Sequence, residues 1–240
     1  MADKIIQFGD VLTGTTQNTT ATPSAPIFLG NGTLRLPNGL AIGWPGGAHD
    51  VDLAQLIANV IVTAHAGTNP TLTTVVQGVN DPFSNNTTIA TTALTAAATT
   101  ITLAERTGIA QNSFALLIDV KAQGYEWVQV TSSATTGAGD HTIVRARRGT
   151  TAKAFAVGSY LLFTNDWVTI RSNNSTTTTL TTGAVDISAA TATAPTTAVI
   201  DTQALGMTTI GYPVIRLLST VGGTSTPTAT YRTTLAGVKK

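Results

Sequence analysis

Apolar residues in this chain come in short runs, separated every few positions by Gly, Pro or Asn. Leu72, Thr74 and Val76 alternate with Thr73, Val75 and Gln77, the period of two that marks a half-buried strand. Val60-Ile61-Val62 is a continuous β-branched run of the buried-strand kind. Gly67-Thr68-Asn69-Pro70 lies between them and reads as a tight connection, so residues 60–64 and 71–78 are predicted to pair. Residues 51–59 are the one stretch that fits helical turns, and they fit a strand entry equally well. Upstream, Ile27-Phe28-Leu29, Leu34-Arg35-Leu36 and Leu40-Ala41-Ile42 are set apart by Gly-Asn-Gly and Pro-Asn-Gly, strong turn signals, and Trp44-Pro45-Gly46-Gly47 closes the segment.

From Ile101 the texture changes. Ile101-Thr102-Leu103, Phe114 to Ile118, Glu126 to Thr131 and Thr142-Ile143-Val144 read as successive strands, with Gly137-Ala138-Gly139-Asp140 as the hairpin between the last two. Gly158 to Phe163 ends this unit. From Trp167 the first texture returns. Val168–Ile170, Val199-Ile200 and Val214–Leu218 are strand runs, Gly222–Pro227 reads as a turn, and Thr228–Val238 as a last strand with Tyr231, Thr233 and Leu235 on one face. Asn173–Thr182 and Ala184–Thr197 are Thr- and Ala-rich tracts that suit solvated loops or edge strands. Many short strands between regular turn signals predict an all-β sandwich or barrel, and no fixed period supports a solenoid.

Two segments lack such periodicity. Residues 1–26 open with Ile5-Ile6-Gln7-Phe8 and continue as a polar run with Gly14, Pro23 and Pro26, which predicts an extended N-terminal arm rather than a core element. Residues 91–100 are a low-complexity Ala/Thr tract, linker or strand, and mark a domain boundary.

Composition sharpens this picture. Of the 240 residues 42% are hydrophobic, enough for a real core, while only 10% are charged. A typical chain carries about 25% charged residues. The difference is filled by Thr, Ala, Gly and Ser. Thr is β-branched and stiff at χ1, so it favours strands. A surface this poor in charge suits a protein that spends its working life against other proteins. The net charge of +1 is too small for a general nucleic-acid surface. With no Cys, disulfides, thiolate metal sites and Cys nucleophiles are excluded. Met1-Ala2-Asp3-Lys4 lacks the apolar core of a signal peptide, and no apolar run approaches a membrane span. Production in soluble form in a cytoplasm is therefore expected.

Catalytic and metal-binding constellations are sparse. His49-Asp50-Val51-Asp52 has ligand types at alternate positions but no second cluster to complete a site, so a polar loop is the simpler reading. His65 and His141 fall in turn regions and read as solvated. Asp119 and Glu126 are the best carboxylate pair for hydrolysis, but an ion pair from one of them to Arg145, Arg147 or Arg148 explains them better. Neither a Gly-x-Ser-x-Gly elbow nor a phosphate loop occurs. Strand alternation puts Arg145 and Arg147 on one face, able to meet an acidic neighbour. Trp44, Trp127 and Trp167 could stack on sugars, although isolated Trp residues more often anchor cores or interfaces. No enzyme activity, cofactor or metal site is expected.

Residues 101–163 resemble a small β-module of tailed-phage structural proteins. The resemblance rests on Leu117-Ile118-Asp119, Glu126-Trp127-Val128-Gln129-Val130, Val144-Arg145-Ala146-Arg147-Arg148-Gly149-Thr150-Thr151-Ala152 and Gly158–Leu162. The module often has His two residues after the Ala; here Ala154-Phe155 follows instead. The flanks Ala64–Leu72, Val76-Gln77-Gly78, Ile215-Arg216-Leu217 and Gly222–Pro227 resemble jelly-roll proteins of the virion exterior. Together these imply a jelly-roll-like β-sandwich, 27–94 with 164–240, an inserted barrel-like β-module at 95–163, and the arm 1–26. The resemblance also implies a homotrimeric capsid cement (decoration) protein on the phage head, assembled in the host cytoplasm and binding the major capsid protein lattice. The small net charge and the lack of an apolar span argue against a direct nucleic-acid or membrane partner. The alternative is a tail or fibre-base component whose sandwich binds glycan. Ile5, Ile6, Phe8, Trp44, Arg147 and Arg148 are the candidate interface residues.

Overall fold

The computed structural model describes residues 5–18, 20–29, 33–35, 41–43, 53–105, 108–121, 124–132, 137–170, 181–201 and 212–239. All its regular structure is β, and no helix occurs among these residues. The chain divides into two compact units. One holds Met1–Gly30, His49–Gly78 and Val168–Lys240; the other holds Asn31–Ala48 and Val79–Trp167.

The first unit contains β1 (Ile5–Gln17), β2 (Thr22–Pro23), β3 (Ile27–Phe28), β6 (Leu53–Val79), β13 (Val168–Thr169), β14 (Val185–Asp186), β15 (Thr196–Asp201) and β16 (Val214–Lys239). Strands β6 and β16 are hydrogen-bonded neighbours. Cross-strand bonds mark the register: Thr63 Oγ1 donates to the Thr230 carbonyl, the Thr74 and Ser219 hydroxyls meet at 2.9 Å, and Arg216 Nε donates to Gln77 Oε1. On one end of this ribbon β1 flanks β16 and β15 flanks β6. On the other end β2 and β3 flank β16 while β13 and β14 flank β6.

The predicted turns at 67–70 and 222–227 are not chain reversals. Both lie inside the long strands, so residues 60–64 and 71–78 are two halves of one strand rather than a pair. Left-handed backbone on both strands explains the difference. Gly67 (φ 92°) and Asn69 (φ 48°) face Gly223 (φ 125°), Ser225 (φ 57°) and Thr226 (φ 54°), so the ribbon bends as a unit and continues. Its two halves then pack face to face. Leu56, Ala58, Ile200 and Leu235 from one half join Ile27, Val76, Ile170, Ile215 and Leu217 from the other in one core. Val60, Val62 and Tyr231 meet Leu72, Ile187 and Val221 nearer the bend. This is a two-layer β-sandwich made by folding one sheet over itself. Alternation holds on both sides of the bend: Leu56, Ala58, Val60 and Val62, then Leu72, Thr74 and Val76, all point inward. The closing face predicted for Tyr231, Thr233 and Leu235 is the buried one.

Two other expectations change here. Residues 51–59 enter β6 as strand, not helix. Ile5, Ile6 and Phe8, placed in a free arm by the sequence, lie in β1, zipped antiparallel to Ala229–Val238 with register shifts after Gln7, Asp10 and Leu12. Polar Thr and Gly positions hide a strand whose pairing is interrupted by bulges.

The second unit contains β4 (Thr33–Arg35), β5 (Ala41–Gly43), β7 (Asn85–Thr88), β8 (Thr100–Leu103), β9 (Phe114–Asp119), β10 (Gly124–Val130), β11 (Gly139–Arg147) and β12 (Tyr160–Phe163). Six strands run in the order β7-β12-β9-β10-β11-β8. The two ends of that order meet: Ile89 bridges Leu103, the Ala104 amide donates to the Thr88 carbonyl, and the Ala90 amide donates to the Thr102 carbonyl. The sheet is therefore a small closed barrel, which leaves no open edge between its first and last strands. Leu103, Ile109, Leu117, Val128, Val130, Ile143, Phe155 and Leu161 fill its interior. Each such burial contributes about 1.5–3 kcal/mol.

The barrel begins at Val79 rather than near residue 95, because the polar strand Asn85–Thr88 completes it. The tract 91–100 is anchored as well: Leu94 and Phe155 exchange both backbone hydrogen bonds, at 2.9 and 2.8 Å, and the tract ends in β8.

Candidate interaction surfaces

Three features present chemistry to the outside: a sparsely charged sheet face on the sandwich, and an arginine-bearing bulge and a groove on the barrel. The first follows from strand alternation. With Leu56 to Val62 pointing inward, Ile57, Asn59 and Ile61 of β6 point outward, as do Thr197 and Val199 of β15 and Thr230 and Thr234 of β16. Val199 is 57% exposed and pairs with exposed Asn59. Arg232 is exposed on this face, and the register places Asp201 opposite Ile57 and Asp10 opposite Thr234, so the face is sparsely charged rather than free of charge. Methyl-bearing hydroxyls and branched aliphatics dominate, and none of them requires an ion to be stripped of water when the face is covered.

On the barrel the organising residue is Glu126, wholly buried on the core side of β10. Arg145 meets it in a bidentate pair, Nε to Oε1 at 2.8 Å and Nη2 to Oε2 at 2.6 Å. The amides of Ala146 and Lys153 donate to the same carboxylate at 2.8 and 3.0 Å. Arg145 also donates to the carbonyls of Thr95, Ala98 and Lys153. One ion pair thus ties β10 and β11 to the Ala/Thr tract and to the loop before Phe155. Burial alone would raise the Glu126 carboxyl, but hydrogen bonds from Arg145, Ala146 and Lys153, with the charge of Arg145, hold it below its ordinary value. The expected lock between an acid and one of the three arginines is this pair. Asp119 is elsewhere, with Oδ1 accepting from the Lys121 amide.

Alternation predicts Arg145 and Arg147 on one face; the structure separates them. Val144 pairs with Gln129 but Arg147 pairs with Trp127, so β11 carries an extra residue there. Ala146 (φ 53°) and Arg148 (φ 51°) adopt left-handed backbone at this bulge. Arg145 turns inward to Glu126, while Arg147 and Arg148 turn to the opposite side of the wall. There the Arg147 guanidinium lies 5.7 Å from the Phe114 ring centre, and that of Arg148 lies 5.1 Å from Trp127. Arg147 is exposed and Arg148 half-buried. Trp127 is 1% exposed, under Arg148 and beside Phe83, so it offers no platform to a sugar. Trp167 is half-buried.

The groove, about 320 Å³, is lined by Asp119, Val120, Lys121 and Ala156–Tyr160. Its chemistry is mixed, with Val157 exposed beside Ser159 and Lys121.

His141 corrects another expectation. It is 1% exposed, because β11 begins at Gly139 and its first residues pair with β8, and its Nδ1 lies 2.7 Å from Ser132 Oγ. His65 is half-buried within β6. Among the described residues no three of His, Asp and Glu converge as a metal site would need. Trp44, His49, Asp50 and Asp52 and most of the tract 173–182 lie outside the described residues. Sequence reasoning missed the outward face around Val199 and Asn59; the alternation of Val60 and Val62 would have given it once extended to their neighbours.

No family model matches this chain, and no curated protein matches it. Among solved structures it aligns with VP17, a capsid protein of bacteriophage P23-77, at 10% identity, covering 100% of this chain and 97% of that one, with a TM-score of 0.18. It also aligns with the infectious bursal virus derived T=1 particle protein at 10% identity, covering 99% of this chain and 78% of that one, with a TM-score of 0.20. At such scores the backbones do not superpose as one fold, and neither alignment bears on function.

Proposed function

We propose that this protein is a non-enzymatic virion component, a capsid cement protein that acts by covering joints between subunits of the phage head. The observation that carries the reading is the sparsely charged outward face of the sandwich, where exposed Asn59 and Val199 stand beside Thr230 among hydroxyls and branched aliphatics. Such a face binds with few ions to desolvate, and repetition over a lattice multiplies a modest contact into a large total. The sequence resemblance of the barrel and its flanks to phage structural proteins supports the virion setting. A homotrimer would place several copies of the face on neighbouring capsid subunits at once.

Expanded capsids lacking the protein provide the test. Purified protein should sediment with them at high copy number and raise the temperature at which they rupture. Failure to bind, or binding at about a dozen sites per particle, would overturn the cement reading.

A further inference from the structure

The bulge on β11 has a geometry that the outward sheet face does not use. Arg147 is exposed, its guanidinium is held over Phe114, and no carboxylate lies within ion-pair distance of it among the described residues. Arg148 follows directly and sits over Trp127. Left-handed backbone at Ala146 and Arg148, neither of them Gly, costs about 1–2 kcal/mol each. The Glu126 carboxylate sustains this conformation by accepting the Ala146 amide at 2.8 Å. Backbone held so against its preference, with two cations fixed on aromatic rings beside it, matches a recognition site more closely than a solvated hairpin.

We infer that Arg147, backed by half-buried Arg148, forms a docking point for an acidic segment of a neighbouring protein, with Glu126 as the positioning residue. A planar guanidinium binds a carboxylate through two parallel hydrogen bonds, and a ring beneath it fixes the plane in advance. Burial lowers the Arg148 pKa to about 10, which leaves it charged at neutral pH. Nucleic acid fits less well. The aromatic faces here are already covered by guanidinium groups, so bases have nothing to stack on, and a net charge of +1 provides no field along a backbone. The site concerns a charged contact distinct from the outward sheet face, and it stands or falls independently of the capsid reading.

The test uses the full chain and no capsid. Hexaglutamate is titrated into isotopically labelled protein while the backbone amides and arginine Nε–H signals are followed by NMR. Shifts at Arg147, Arg148, Gly149 and Phe114 are expected, with binding at least tenfold weaker in the Arg147→Gln, Arg148→Gln double variant. Arg147→Lys, which keeps the charge but loses the fork, should fall between. No shift at these residues, or shifts that persist in the double variant with its melting temperature unchanged, would overturn the inference. A thymidylate oligomer of equal charge that binds as well as hexaglutamate would overturn the assignment to a protein partner.

Discussion

Arg145 and Glu126 face each other across the barrel wall in a bidentate pair whose side chains are 8% and 0% exposed. Removing one partner leaves the other charged, buried and uncompensated, which costs about 3–5 kcal/mol. Glu126→Gln and Arg145→Met should each lower stability by this amount in urea or thermal unfolding of the barrel. The double replacement Glu126→Leu, Arg145→Met should cost less than the sum of the single changes, because no stranded charge remains. Equal and additive losses would mean that the pair does not act as a unit.

The same pair sets an acid dependence. The folded Glu126 carboxyl titrates below its ordinary value of 4.5, so unfolding takes up a proton in the range between the two. Its contribution is complete above pH 4.5 and fades as pH falls through the lowered folded value. Stability of the natural protein should therefore drop more steeply below pH 4.5 than that of Glu126→Gln, whose curve lacks this component. Denaturant midpoints measured between pH 2 and 7 would show it.

At the bend of the sandwich, a Cβ on Gly67 would lie 2.7 Å from Pro227 Cα and 2.8 Å from the Thr224 carbonyl oxygen, on a backbone with φ 92°. Gly67→Ala thus meets both strain and rigid backbone, and should lose more than about 2 kcal/mol. Gly149 also has positive φ, but nothing lies within 4 Å of its added Cβ. Gly149→Ala should lose only the conformational part, about 1 kcal/mol. Comparable losses at the two sites would show that the ribbon yields at its bend.

How far the sequence disclosed this molecule depended on whether a signal was local. Alternation at Leu72, Thr74 and Val76 placed a strand correctly, because side-chain direction repeats every two residues whatever the strand pairs with. Gly67-Thr68-Asn69-Pro70 misled, because left-handed residues bend a chain without saying whether it reverses; that depends on Gly223, Ser225 and Thr226 far along the chain. The bulge at Ala146 was invisible for the same reason: an Ala in left-handed backbone carries no composition signal, and only the Glu126 carboxylate explains it. The ion-pair lock was legible, since a buried strand position occupied by Glu requires a cation nearby.

Polar order inside the sandwich yields a further expectation. Thr74 and Ser219 share a hydrogen bond at 2.9 Å in the core, and the Tyr231 phenol, which burial pushes up to about 12, also bonds Ser219. Ser219→Ala strands two hydroxyls and should cost about 2 kcal/mol or more, against about 1 kcal/mol for Tyr231→Phe, which leaves the Thr74 bond in place. In the double variant Ser219→Ala, Tyr231→Phe the second change should add little. Equilibrium unfolding of the four proteins closes this cycle, and full additivity would show that the three hydroxyls are not coupled.

The outward sheet face can be tested without disturbing the fold. Asn59 and Val199 are exposed neighbours on β6 and β15, and neither side chain supports the core. Replacing both with Glu sets two like charges side by side, which at an exposed site costs the fold under about 1 kcal/mol. A partner covering the face would have to desolvate both carboxylates, which costs several kcal/mol per ion when no counter-charge waits there. Binding to expanded capsids should then fall a hundredfold or more, while the melting temperature stays within a few degrees. Exposed Asp140 belongs to the barrel and not to this face, so it offers the control: Asp140→Lys changes charge by two and should leave capsid binding unaltered. If Asn59→Glu with Val199→Glu bound as tightly as the natural protein, the contact would have to lie on another surface.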